Sequence, residues 1–274
     1  MIWWAILWLD VVLYSNPFVS LPCSGLVHDV KHPGIPNFCL AKESEALNEK
    51  YKGKALAEQN SFDVSWKVLM GAEYSELRSC LYITPSDLIR FRQTIIKTVL
   101  ATEIFDPENV QQQRDRWHQA FVLPLMSADS DGRKAYAAIE LLIQASDVAH
   151  LTQGWSTYNK WNKKLFKEMA LAYQAGRFPN DPSVGWFEGE LKFFDSHVIP
   201  LCQRMCDCGL FGSIGDDYLK HAQSNRKQWQ LKGKDMVESM KNSTTAATRK
   251  SVKKDLSPSL TPPVASISAD PAEV

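Results

Sequence analysis

The segment GLVHDVKHPG, residues 25–34, sets His28 beside Asp29 and brings a second imidazole, His32, three residues further on. A borderline imidazole nitrogen next to a hard carboxylate oxygen suits zinc, iron, manganese or magnesium. Two adjacent side chains on one turn cannot complete a coordination shell, so a distant carboxylate or imidazole has to join them. Asp147, in IELLIQASDVAH, is the natural candidate. Periodicity places Ile139, Leu142, Ile143 and Ser146 on one stripe and predicts Asp147 and His150 on its buried side. An ionised carboxylate there costs several kcal/mol unless paired. Asp147 is therefore expected to face either a metal or the cation of a structural salt bridge.

The elements that must carry these residues read as helices. From about residue 41 to 238 apolar residues recur three and four apart, with no sustained two-residue alternation, and no internal repeat is visible. Pro85 and Ser86 open a helix whose apolar face runs Leu88, Phe91, Ile95, Val99 and on to Thr102. A later stretch aligns Tyr158, Trp161, Leu165 and Met169, and another Phe187, Leu191, Phe194 and Val198 with Glu190 between them. Such stripes are most often plain core. After Met240 the composition turns to Ser, Thr, Pro, Ala and Lys, so residues 239–274 are expected to be a disordered tail.

With 274 residues, 45% of them hydrophobic, the chain suits one large domain. Its 31 basic and 31 acidic residues cancel, which argues against a nucleic-acid partner. Six cysteines without a C-x-x-C pair fit reduced thiols in the cytoplasm, and Cys202, Cys206 and Cys208 read as small core residues rather than a zinc site. Residues 1–15 are apolar apart from Asp10 and carry no Lys or Arg, unlike a secretory signal. They are also shorter than the about 20 residues of a bilayer crossing. They are read as a buried helix remnant, a misjudged gene start or a membrane attachment, the last implying a membrane-associated alternative location. Oligomeric state is left open.

HDVKHPG, followed in order by YKGKALAEQNSFDVSWKVL, VLATE and ASDVAHLTQGWSTYNKWNKKL, resembles the catalytic domain of class I 3′,5′-cyclic-nucleotide phosphodiesterases, in a divergent microbial form. The match spans roughly residues 24–208, which divides the chain into a non-matching 1–23, a partial catalytic domain 24–238 and the tail. The resemblance implies an all-α, multi-helix bundle with a metal pocket and cyclic AMP or cyclic GMP as the substrate. It implies that His28, Asp29 and Asp147 hold one divalent ion, usually zinc, with Asp29 bridging to a second, magnesium or manganese. Paired cations activate a water for attack on phosphorus. His32, Glu58 and Thr102 match positions that orient the water and the catalytic imidazole, as outer partners of metal sites commonly do.

For the base, the resemblance pairs Phe193 with Leu165 as an aromatic and apolar clamp. Glu190 stands where the family has a glutamine that reads the purine edge. An ionised carboxylate only accepts hydrogen bonds, and guanine offers two N–H donors, so cyclic GMP is favoured if Glu190 meets the base; the alternative is a solvated helix glutamate. His150 replaces an asparagine that helps hold substrate, and Lys31 replaces an acidic residue.

The family also has an upstream H-N-x-x-H element that supplies a general acid and a further metal ligand, while residues 1–27 contain no histidine. Two expectations follow: an incomplete gene model of a working enzyme, or a short form that binds cyclic nucleotide without the 10²- to 10⁴-fold that general acid catalysis supplies. A broader HD-type nucleotidase would need the metal dyad but not the clamp.

Overall fold

The computed structural model describes residues 17–123 and 130–255, and every regular element among them is helical. Helix α1 (Pro17–Val27) leads into the HD turn, followed by α2 (Asn37–Glu43), α3 (Glu45–Tyr51), α4 (Leu56–Leu69) and α5 (Ser75–Leu81). Then come α6 (Pro85–Leu100), α7 (Pro107–Phe121), α8 (Ser130–Asp147), α9 (Trp155–Gln174), α10 (Trp186–Phe193), α11 (Ile199–Asp207) and α12 (Ser213–Asp255). This is the all-α bundle that the sequence periodicity predicts.

Local chemistry sets the starts. Thr84 caps α6 by accepting from Asp87 N, Asp87 returns a bond to Thr84 N, and Pro85 takes the first turn, where its missing N–H costs nothing. Phe91, Ile95 and Val99 then point into a cluster with Phe62 of α4 and the partly buried Cys23 and Val27 of α1. Each is fully buried, worth about 1.5–3 kcal/mol relative to exposure. Ser20 and Ser24 are the small residues on the inner side of α1. Ser24 is wholly buried with its hydroxyl on the Ser20 carbonyl, 2.8 Å away, and α1 packs closely against α6 and α8.

The largest core joins α8, α9, α11 and α12 through Leu141, Tyr158, Phe166, Leu201 and Trp229, none more than 3% exposed. A single π-helical turn, Phe194–Val198, connects α10 to α11 and buries Phe194 and Val198.

Three sequence expectations change here. Helix α8 is central, touching α1, α6, α7 and α11, so its middle is buried nearly all round instead of along one stripe. Ile139 and Ile143 are buried, but Ser146 and Asp147 at its end are exposed, and the penalty assigned to a core Asp147 does not arise. The carboxylate in this core is Glu140, answered by a bidentate Arg116 at 2.6–3.1 Å. On α9 the buried stripe is Tyr158, Asn162, Phe166 and Ala170, while Trp161 and Leu165 are exposed and Met169 is half-buried. Periodicity passed over Asn162 because it is polar; its amide is satisfied inside the fold, as described below. Finally, α12 continues to Asp255, and Met240 lies in the core, so helical structure crosses the boundary expected at 238. Ser20 likewise puts core upstream of residue 24. Residues 1–15 lie outside the described residues, and no described helix is long and apolar enough to cross a membrane.

Candidate active site

Three helices end at one place. His28 follows the last residue of α1, Asp147 is the last residue of α8, and Thr102 and Glu103 follow the end of α6. Helix C-termini carry partial negative charge, so their convergence favours a cation. His28 Nδ1 lies 2.8 Å from the Gly25 carbonyl, which fixes the ring and turns Nε2 outward. Nε2 is 3.4 Å from Asp147 Oδ1 and 3.5 Å from Asp29 Oδ2. One ligand atom from each of the three residues lies within 4.8 Å of the others. Bonds of about 2.0–2.2 Å from a shared zinc ion fit that triangle. The two carboxylates also favour the imidazolium form of His28, whose pKa is raised to about 9, first by the hydrogen bond to Asp147.

Below it opens a cavity of about 440 Å³, lined by Asp29, His32, Glu58, Thr102, Asp147 and Glu168 among others. The sequence-based site residues of the HD, Glu58 and Thr102 motifs are thus brought together. Lys31 at φ 59° and Gly34 at φ +71° turn the chain there; a Cβ on Gly34 would stand 2.8 Å from Glu168 Oε1. His32 Nδ1 accepts from Gly34 N at 3.2 Å. Thr102 Oγ1 donates to the Val99 carbonyl at 2.7 Å, leaving its lone pairs to accept from the cavity.

Two residues that sequence reasoning missed complete this wall. Asn37 Oδ1 accepts from Ala57 N at the start of α4, while Nδ2 donates both to Glu58, at 2.9 Å, and to Glu103. Burial, and then the neighbouring Glu103, push the Glu58 carboxyl above the usual range against the pull of Asn37. Asn37 stands five residues after His32 and Glu103 directly follows Thr102, so proximity to the motifs was the available signal.

A second cavity, about 830 Å³, shares Asp147, Leu165, Met169, Ile104, Phe105 and Trp186 with the first. Leu165, Phe193, Glu190 and His150 all line it. Phe193 rests on the His197 ring, centroids 5.2 Å apart and 13° from parallel. Burial pushes His197 down to about 4, so that ring is neutral. Glu190 is half-buried, not solvated: Tyr158 donates to its Oε2 at 2.8 Å, and Asn162 adds a second bond. Burial raises its pKa to about 7. His150 sits on the 3₁₀ turn Ala149–Thr152, which Asn225 of α12 holds through bonds of 2.9 and 2.7 Å to Leu151 O and Gln153 O. Burial lowers its pKa, against Asp147.

Residues 9–208 match the 3′,5′-cyclic nucleotide phosphodiesterase family, beginning upstream of the match read from motifs. A probable 3′,5′-cyclic-AMP phosphodiesterase of Caenorhabditis elegans is 23% identical over 223 residues, 76% of this chain and 32% of its own length. A dual specificity calcium/calmodulin-dependent 3′,5′-cyclic nucleotide phosphodiesterase 1B of Bos taurus is 22% identical over 74% of this chain and 38% of its own. This chain therefore spans about a third of the length of these relatives. The crystal structure of the phosphodiesterase domain of the RhoPDE fusion protein from Salpingoeca rosetta superposes with a TM-score of 0.64 at 17% identity, covering 82% of this chain and 70% of that one.

Proposed function

The chain belongs to the 3′,5′-cyclic nucleotide phosphodiesterase family, and from that premise we propose that it hydrolyses the 3′ phosphoester of cyclic nucleotides to 5′-monophosphates, in signal transduction, at a centre for two divalent ions. The observation that carries this reading is the aim of His28 Nε2 at Asp147 and Asp29 together, at 3.4 and 3.5 Å. In the proposal His28, Asp29 and Asp147 would hold a zinc ion, and Asp29, the most exposed of them, would be shared with a magnesium or manganese ion. Such ions lower the pKa of water and stabilise charge developing on phosphate.

The chain's own groups would do the rest. Thr102 and Glu58 accept hydrogen bonds from water in the smaller cavity, whose wall His32 shares. His150 donates to a phosphate oxygen from the wall of the larger cavity. Leu165 and Phe193 clamp the purine, with His197 as the floor beneath Phe193. Ionised Glu190 accepts from guanine N–H groups, which favours cyclic GMP. A cytoplasmic location, on the cysteine usage, and no nucleic-acid partner belong to the same proposal.

The three-member ligand set favours a second reading, a chain that binds cyclic nucleotide and cleaves it weakly or not at all. One experiment separates them: metal analysis of the recombinant chain, with 5′-monophosphate release measured under added zinc and magnesium. Bound divalent metal with turnover supports the enzyme. Nucleotide binding without turnover supports the second reading, and a chain that takes up neither metal nor nucleotide refutes both.

A further inference from the structure

The two protein groups hydrogen-bonded to Glu190, Tyr158 and Asn162, both donate to its carboxylate. An indole N–H can only donate, and Trp186 Nε1 gives its proton to Asn162 Oδ1 at 3.2 Å. That contact fixes the amide orientation and turns the Asn162 NH₂ toward Glu190, where it makes its second bond. Tyr158 is fully buried, with Trp155, Phe194 and Trp229 against its ring, and its hydroxyl donates to Glu190 Oε2 at 2.8 Å. Both protein partners therefore donate to the ionised carboxyl. Glu190 also lines the cavity with Phe193 and Leu165, so a proton it takes up can be offered to a base there as well as to the Tyr158 hydroxyl oxygen.

We propose that Glu190 is a two-state reader of the base, an acceptor for guanine N–H groups when ionised and a donor to adenine N1 or guanine O6 when protonated, so that pH sets the preference between cyclic GMP and cyclic AMP. This rests on the reading of Glu190, Phe193 and Leu165 as a purine site. The two states are both populated near neutrality because burial holds the carboxyl at about 7, while Tyr158 and Asn162 pull it down. Tyr158 is the one ionisable group among these influences. On α10 itself, Glu188 and Lys192 are exposed. From α12, Lys232 and Lys234 lie over Trp155 and Phe187. The remaining ionisable residues on the cavity wall are Asp147, His150 and Asp181, and Asp181 is engaged with Ser183 N at 2.8 Å.

The sign follows. Below about 7 the carboxyl is protonated and either base finds a partner. Above it the carboxylate repels the adenine N1 lone pair and gains a charge-assisted bond from guanine, worth roughly tenfold in affinity. The test is an NMR titration of the full chain with cyclic GMP and cyclic AMP from pH 5.5 to 8.5, in chelator so that neither is cleaved, with the Glu190 carboxyl ¹³C shift followed alongside. The cyclic GMP to cyclic AMP affinity ratio is expected to rise about tenfold through a midpoint near the carboxyl's own. Glu190→Gln, whose amide keeps one donor and one acceptor at every pH, is expected to hold the ratio flat. Tyr158→Phe removes a donor that lowers the Glu190 pKa and is expected to move the midpoint upward. A flat ratio in the native chain, with both nucleotides bound, overturns the proposal and leaves the purine site standing, as does a Glu190→Gln ratio that tracks the native one. If neither nucleotide binds at any pH, the purine site falls and the proposal with it.

Discussion

Acidification should loosen this protein through one imidazole. His197 lies beneath Phe193 with its Nε2 buried and without a hydrogen-bond partner, and burial, then the nearby Arg204 and Arg114, lower its pKa from 6.5 to about 4. A group whose charged form is disfavoured in the folded state contributes stability that is intact above its unfolded pKa and is lost as pH falls through that window. From 6.5 down to about 4, at about 1.36 kcal/mol per pH unit, His197 withdraws roughly 3 kcal/mol. His197→Leu keeps an apolar filler under Phe193 and removes both the titration and the orphaned nitrogen. At pH 7 it should be stabilised by about 1–2 kcal/mol, since an unsatisfied buried group costs that much. The advantage should grow by about 2–3 kcal/mol at pH 4.5. Urea denaturation of both proteins at pH 7, 5.5 and 4.5 measures the difference, and subtracting the curves removes every other titrating group. Parallel stability curves for the two proteins would refute the argument.

Arg116→Met strips the partner from buried Glu140 and is expected to cost about 3–5 kcal/mol at pH 7, shrinking as the carboxyl is protonated at lower pH, by the same denaturation assay. Gly233→Ala sets a Cβ 2.8 Å from the Trp229 ring and 2.9 Å from Phe187, so thermal unfolding should report a loss of about 1–3 kcal/mol. Asp147→Ala and His28→Ala should each weaken divalent-ion binding at least tenfold in calorimetry, while Asp217→Ala, in an exposed pair on α12, leaves it unchanged; equal binding in all three would dissociate the HD turn from any metal.

The HD pair and a distant carboxylate were legible from residue types, and the clamp and base-reading positions only from the family resemblance; in the fold His28, Asp29 and Asp147 lie within 4.8 Å of one another, and Leu165, Phe193 and Glu190 line one cavity. What escaped was the polar interior. Asn162, Gln144 and Asn225 are all buried, and a periodicity argument counts such residues as outward-facing because their partners, Trp186, Gln113 and the 151–153 carbonyls, lie on other helices. For the same reason Asp147 was placed in the core: a helix packed on several sides has no single stripe, and only neighbours show where it meets solvent. The Phe194–Val198 π turn left no mark in composition, and the helical run of α12 past 238 was hidden by its Ser, Thr and Lys content.

Asn37 carries three obligations with one amide: it starts α4, and it stands between Glu58 and Glu103. The two carboxylates come from separate segments, Glu58 from α4 and Glu103 from just past α6, 21 and 66 positions from Asn37. The acidic wall therefore depends on one neutral amide, and without it Glu58 and Glu103 would lose the donor they share.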